Sequence, residues 1–233
     1  MTEPYYDQDG VVIYNSDCRD LLPSIEADVM ITDPPYSQKT HDNVRNYGDG
    51  ANTLGYGDAE RIEFDGITHD FLRGVIDMAR VKRWSIMTLD ITLAAHLIIE
   101  PPSTVEFIRQ GCWLKPRGAP QLTGDRPAMW WEPIMYFHPP GKKQWNGGGN
   151  PANFTCDTDR SVSHPTSKPL AMLHRLVEWF SEPDELILDP FMGSGSTLVA
   201  ARNMGRRAVG IEISERFCEM AAKRLNQGIL DFG

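Results

Sequence analysis

An apolar run that stops on two consecutive prolines constrains this chain more than any other feature. Residues Ala27–Thr32 read ADVMIT and lead directly into Asp33-Pro34-Pro35-Tyr36. An unbroken apolar run of this length fits a strand buried on both faces. Proline has no N–H to give to a ladder, so two of them cannot continue a central strand. The strand must end at Thr32, which leaves Asp33 to Tyr36 at the carboxyl edge of its sheet.

The same punctuation recurs. Val11–Tyr14 ends at Asn15-Ser16-Asp17, Glu185–Leu188 ends at Asp189-Pro190, and Ala208–Ile211 ends at Glu212. Trp84–Leu89, Arg109–Leu114 and Pro133–Phe137 also read as strands. Helical spacing marks His69–Arg83, Lys168–Phe180, Thr197–Met204 and Ser214–Leu225, with a short helix over Cys18–Ile25. Strands alternating with helices predict an α/β domain built on a mostly parallel sheet with helices on both faces. Ligands bind such sheets beyond the carboxyl ends of the strands. Asp17, Asp33, Asp189 and Glu212 should therefore share one edge.

Composition narrows the class. With 41 % hydrophobic and 24 % charged residues, the chain of 233 residues suits a globular protein and not a disordered one. It is read as a single domain, 1–233. No apolar window is long enough to span a bilayer, and the acidic start MTEPYYDQDG does not read as a signal peptide. Four scattered cysteines with no CxxC pair argue against disulfide or zinc frameworks and for a reducing cytoplasm. Six histidines without an HxxxH pair suggest no metal site.

The net charge of −9 argues weakly against a polyanionic partner. The balance reverses locally, however. Between Val105 and Trp145, Arg109, Lys115, Arg117, Arg126, Lys142 and Lys143 face only Glu106, Asp125 and Glu132, and Trp113, Trp130, Trp131 and Trp145 lie there too. Trp113 and Trp131 read as core residues. Arg117, Arg126, Lys142, Lys143 and Trp145 are candidates for meeting nucleic acid.

Two motifs carry chemistry. Asp189-Pro190-Phe191-Met192-Gly193-Ser194-Gly195-Ser196-Thr197 is a strand–turn–helix junction whose glycines let backbone approach a ligand. Glu212 follows Gly193 by 19 residues at the end of the next strand, where a carboxylate can take ribose hydroxyls. A phosphate-binding P-loop would need a lysine before the Ser or Thr, and none is present. The Asp33 carboxylate and the Pro34 carbonyl form a pair of acceptors. Such a pair can draw the exocyclic NH₂ of a nucleobase toward a tetrahedral nitrogen and stabilise the positive charge that grows there. Tyr36 offers a face on which an extruded base can stack.

Together these motifs resemble the DNA amino-methyltransferases that use S-adenosylmethionine. The DPPY motif precedes the glycine motif, a circularly permuted order similar to the β subgroup and to short phage-type relatives. The resemblance implies a Rossmann-like methyltransferase fold, S-adenosylmethionine as cofactor with S-adenosylhomocysteine as product, and double-stranded DNA as partner in a bacterial or phage-infected cytoplasm. It implies catalysis by Asp33, Pro34, Pro35 and Tyr36. It assigns cofactor contacts to Asp17, Cys18, Thr166, Lys168, Asp189, Phe191, Gly193, Gly195, Ser196, Thr197 and Glu212, with Thr166 and Lys168 at the methionine end. Adenine N6 is the expected target, because an aspartate heads the motif. Cytosine N4, an RNA substrate and a non-catalytic binding module are the alternatives. Ring-carbon methylation is excluded, since no cysteine sits in a Pro-Cys setting. The segments outside the sheet, 37–66 at the catalytic site and 139–163 as a target-recognition loop, are short for base reading. Either recognition is relaxed, or a second copy completes the DNA clamp as a homodimer.

Overall fold

The computed structural model describes residues 2–37, 66–118, 124–157 and 168–227. In chain order the elements are β1 (Tyr6–Gln8), β2 (Val11–Asn15), α1 (Cys18–Leu21), β3 (Glu26–Ala27), β4 (Val29–Thr32), α2 (His69–Met78), β5 (Arg80–Val81), β6 (Ser85–Thr88) and α3 (Ile91–Ile99). They continue with β7 (Glu106–Leu114), β8 (Trp131–His138), β9 (Asn153–Thr155), α4 (Leu170–Phe180), β10 (Leu186–Asp189), α5 (Ser196–Asn203), β11 (Arg207–Glu212) and α6 (Glu215–Asn226).

Nine strands form one sheet in the order β1-β2-β11-β10-β4-β6-β8-β7-β9. Its centre, β2-β11-β10-β4-β6, is parallel throughout. Alternate residues along these strands go to opposite faces, and both faces are covered. Val29, Ile31, Ile86 and Ile187 pack under α4, α5 and α6, whereas Met30, Met87 and Leu188 pack under α2 and α3. This explains why the central strands read as continuous apolar runs.

From β4 the chain crosses to β6 on one side, and from β10 it crosses to β11 on the other. The sheet order therefore reverses between β4 and β10, the point at which open α/β sheets bind their ligands. β8 runs antiparallel to β6, and β7 antiparallel to β8. The start of β8 and the end of β7 thereby join the carboxyl edge of the parallel strands.

Several elements depart from the sequence reading: β1 has no counterpart in it, and the run Ala27–Thr32 is divided, with Ala27 ending β3 in a separate two-stranded sheet. α2 ends at Met78, and the next residues form β5, paired with β3. α3 was not anticipated, because ITLAAHLII is nearly all apolar and shows no periodicity; its start is set by Asp90, whose carboxylate accepts from Thr92 N (2.8 Å) and Leu93 N (3.0 Å). β9 lies inside 139–163, where only loop was expected. Of the 37–66 segment, only Ser37 and Gly66 are among the described residues, and 158–163 lies outside them. No helix among the described residues is long and apolar enough to cross a membrane.

Candidate active site

The carboxyl edge collects the four acids that follow strands. β2 leads to Asp17, β11 ends on Glu212, β10 ends on Asp189 and β4 leads to Asp33. The two motifs meet at the switch point, where Thr32 Oγ1 donates to Asp189 Oδ1 at 2.7 Å.

The glycine turn is held from three sides. Glu212 accepts from Gly193 N (3.0 Å) and Ser214 N (2.9 Å). Arg224 donates to the Ser194 carbonyl (2.7 Å) and to Ser196 Oγ (3.0 Å). Gly195 has φ +78°, and a Cβ there would meet the Ala221 Cβ at 2.7 Å. Gly193 has φ +50°, yet a Cβ on it would enter open space. Gly195 is thus required by the packing of α6 on the turn, whereas Gly193 leaves backbone exposed on the cleft side. No side chain caps α5, which leaves its first-turn N–H groups without a side-chain acceptor among the described residues. Burial raises the Glu212 pKa, and burial lifts that of Asp189 to about 7 against hydrogen bonds from Thr32 and Thr197. Backbone cradle, acid beyond the next strand and uncapped helix together fit an adenosine bearing a carboxylate tail. Phe191 is half-buried beside this turn, and its ring stands 6.3 Å from that of Phe71.

Asp17 caps α1 through Arg19 N (2.9 Å), and Arg19 also binds its carboxylate side-on. Cys18 is buried, and burial pushes its thiol up to about 11, which keeps it protonated and unsuited to act as a nucleophile. Thr166 lies outside the described residues.

The DPPY turn holds a charged cluster that the sequence did not reveal. Asp33 accepts from Thr88 Oγ1 (2.5 Å) and from Lys168 Nζ (2.6 Å). Lys168 also lies 3.3 Å from Glu132 Oε2. Glu132 Oε1 accepts from Lys115 and from the Tyr36 hydroxyl (2.9 Å). Beyond Tyr36, Ser37 N donates to Asp90 at 2.6 Å, which ties the end of the turn to the start of α3. Pro34 is buried, and Pro35 and Tyr36 are half-buried.

Two ammonium groups and two carboxylates here compensate each other. Burial opposes the charge of Lys168, but Asp33 and Glu132 outweigh it and raise its pKa. Burial likewise opposes the charge of Glu132, and Lys168 and Lys115 outweigh it to lower its pKa. Burial raises the pKa of Asp33 against the pull of Lys168. The floor of the cluster is the buried Trp113, with Lys115 Nζ 4.5 Å and Lys168 Nζ 5.7 Å from its ring centroid.

The resemblance assigns Lys168 to the methionine end of the cofactor. Its ammonium lies on Asp33, because Lys168 enters from just before α4 and reaches across to the end of β4. Thr88, Asp90, Lys115 and Glu132 were not singled out as site residues. Lys115 and Glu132 belong to it because Leu114 and Trp131 pair at the ends of β7 and β8, a register that local patterning does not disclose.

The basic stretch is not one surface. Arg117 and Arg126 lie in the connection between β7 and β8, at the carboxyl edge. Arg117 pairs with Asp157 (2.6 Å) and Arg126 with Asp125 (3.4 Å). Lys142, Lys143 and Trp145 follow the far end of β8 and lie at the opposite edge. Lys143 pairs there with Glu106 at 3.0 Å. Trp145 packs edge-on against Trp179 at 5.7 Å and against Phe180, so its ring belongs to the margin of the core. The antiparallel turn of β8 carries 142–145 away from Asp33.

Comparison with known proteins agrees with this architecture. Residues 142–223 match the DNA methylase family of N6 and N4 methyltransferases. The type II methyltransferase M2.LlaDCHI of Lactococcus lactis subsp. cremoris is 28 % identical over 253 residues, covering 98 % of this chain and 94 % of that protein. The solved complex of M1.HpyAVI with SAM superposes with a TM-score of 0.67 at 20 % identity, over 92 % of this chain and 99 % of that one. The cytosine-N4-specific PvuII DNA methyltransferase superposes with a TM-score of 0.72 at 14 % identity, over 100 % of this chain and 90 % of that one. The fold is the Rossmann-like methyltransferase fold. Within it, the chain is similar to the S-adenosylmethionine-dependent DNA amino-methyltransferases.

Proposed function

We propose that this protein transfers a methyl group from S-adenosylmethionine to the N6 amino group of an adenine in double-stranded DNA. The observation that carries the proposal is the Thr32–Asp189 hydrogen bond of 2.7 Å, which joins the base-handling turn to the cofactor-handling strand at the switch point.

S-adenosylmethionine supplies a methyl group already activated on a sulfonium. The chain has to hold it and to present an amino nitrogen in line with it, which is chiefly a matter of position. Glu212 takes the ribose hydroxyls with the acceptor sites that Gly193 and Ser214 leave open. Asp17, Cys18 and Phe191 surround the adenine. Gly193, Gly195, Ser196 and Thr197, with the start of α5, take the carboxylate tail. On the base side, the Asp33 carboxylate and the Pro34 carbonyl accept the two amino hydrogens. They thereby concentrate the nitrogen lone pair and stabilise its developing charge. Pro35 stiffens the turn. Tyr36, whose hydroxyl is pinned on Glu132, fixes its ring for stacking.

The duplex approaches the carboxyl edge, where Arg117 and Arg126 lie. The 37–66 segment is assigned to the catalytic site, and 139–163, which reaches this edge at the end of β9, where Thr155 pairs with Leu114, is the candidate recognition segment of a single domain. A second copy of the chain completes the DNA clamp; sedimentation with and without a duplex tests this, and a monomer on DNA counts against it. Cytosine N4 is the second reading, favoured by the superposition on the cytosine-N4-specific PvuII enzyme. Tritium transfer from labelled S-adenosylmethionine to unmethylated plasmid, with digestion to nucleosides, tests both. Label in N6-methyladenine supports the first reading, label in N4-methylcytosine the second, and no label refutes both.

A further inference from the structure

Both oxygens of Asp33 already hold a donor. Thr88 Oγ1 occupies Oδ1 at 2.5 Å and Lys168 Nζ occupies Oδ2 at 2.6 Å. A carboxylate oxygen can accept a second donor, so the ammonium competes with the amino group that Asp33 has to receive by crowding Oδ2 and by its charge, not by filling the last acceptor site. That charge neutralises the carboxylate. A neutralised carboxylate stabilises a positive charge growing on nitrogen far less than a free one does. A second acceptor stands beside the same ammonium, at ion-pair distance but not in hydrogen-bonding alignment. Glu132 Oε2 lies 3.3 Å from the same Nζ, is buried, and has no hydrogen-bond partner among the described residues. The residue is only 8 % exposed, and a buried acceptor left unmade is costly. Its other oxygen, Oε1, is committed to Tyr36 and Lys115.

We propose that Lys168 is a positioning residue that competes with the base for Asp33 Oδ2 and yields it by moving onto Glu132 Oε2. This rests on the reading that Asp33 receives the amino group. A lysine has three donors on a flexible stem, so the move needs a rotation at its end and no backbone change. The cluster stays balanced in charge, because Lys168 passes from one carboxylate to another. Asp33 regains its full charge as the nitrogen arrives, and Tyr36 stays fixed because Glu132 Oε1 is not disturbed. Glu132 is thereby the parking acceptor, and its value to the reaction lies in drawing the lysine off Asp33.

The test is a double-mutant cycle read by tritium transfer to unmethylated plasmid, with cofactor affinity measured by titration calorimetry. Glu132→Gln weakens the parking acceptor and leaves Lys168 on Asp33. It is expected to lower kcat by about tenfold or more while S-adenosylmethionine affinity stays within about twofold. Lys168→Met in the same chain removes the competitor, and the double variant is expected to recover at least about fivefold over Glu132→Gln alone. Glu132→Asp, which keeps the charge, carries the same cycle should Glu132→Gln fail to fold, with a smaller loss that Lys168→Met again relieves. A Glu132 variant within about threefold of the parent overturns the proposal, and so does a double variant no better than the single one, the outcome of a purely structural pair. Asp33→Asn separates the underlying reading: transfer that survives it refutes the role of Asp33 itself, whatever the cycle shows.

Discussion

The two glycines of the turn between β10 and α5 should fail in different ways when given a side chain. Gly195→Ala forces a non-glycine residue to φ +78° and drives its Cβ to 2.7 Å from the Ala221 Cβ and 3.3 Å from the Ala221 Cα. The left-handed conformation costs about 1–2 kcal/mol, and overpacking against a helix backbone adds about 1–3 kcal/mol. For a chain of this size, a total of about 2–5 kcal/mol lowers Tm by roughly 4–20 °C. Gly193→Ala carries only the conformational cost, about 1–2 kcal/mol, because nothing lies within 4 Å of its Cβ. Its Cβ does fill the space beside the exposed backbone of the turn, so S-adenosylmethionine affinity should fall by about tenfold or more. Circular-dichroism melting and titration calorimetry on both variants check this. If Gly195→Ala melts with the parent, the packing argument fails. If Gly193→Ala binds the cofactor like the parent, this turn is not the cradle.

Asp33→Ala should reduce transfer at least about a hundredfold with cofactor binding nearly unchanged; equal loss of both would contradict the division between the two motifs. Glu212→Ala should raise the S-adenosylmethionine Kd by about tenfold to a hundredfold, and an unchanged Kd removes Glu212 from the site. Arg117→Glu with Arg126→Glu should flatten the salt dependence of DNA binding, whereas Lys142→Glu with Lys143→Glu should leave the slope alone; filter binding across a salt series decides, and the reverse pattern moves the DNA to the other edge. Asp189 holds its proton to about pH 7 when folded, against an ordinary value of 3.8. The folded state therefore binds more protons between those values, and stability falls as pH rises through that window, by up to about 4 kcal/mol. Asp189→Asn should remove that slope in melts from pH 5 to pH 8, and an identical slope in both proteins refutes the assignment.

The placement of the four acids was legible because each follows an apolar run that a turn residue ends. Asp33 and Asp189 are each followed by proline, so the ends of β4 and β10 could be placed closely from the chain alone. The helix α3 was not legible, since ITLAAHLII buries residues without a polar stripe to give it a period. The cluster around Asp33 was hidden for a different reason. Lys168 is 135 residues from Asp33 and Lys115 is 17 from Glu132. Their meeting depends on β7 and β8 running antiparallel back to the active edge. The same reversal separates Arg117 from Lys143, which share a basic stretch in sequence but not in space. Local pattern therefore discloses which edge carries the site, and only strand order and register disclose which charges share it.

The most direct measurement is the nucleoside composition of plasmid DNA from a host without methylases of its own, expressing either this protein or its Asp33→Ala variant. Mass spectrometry should find N6-methyladenine with the parent chain and none with the variant. Plasmid that carries no methylated nucleoside, from cells in which the folded parent protein is present, would contradict the account.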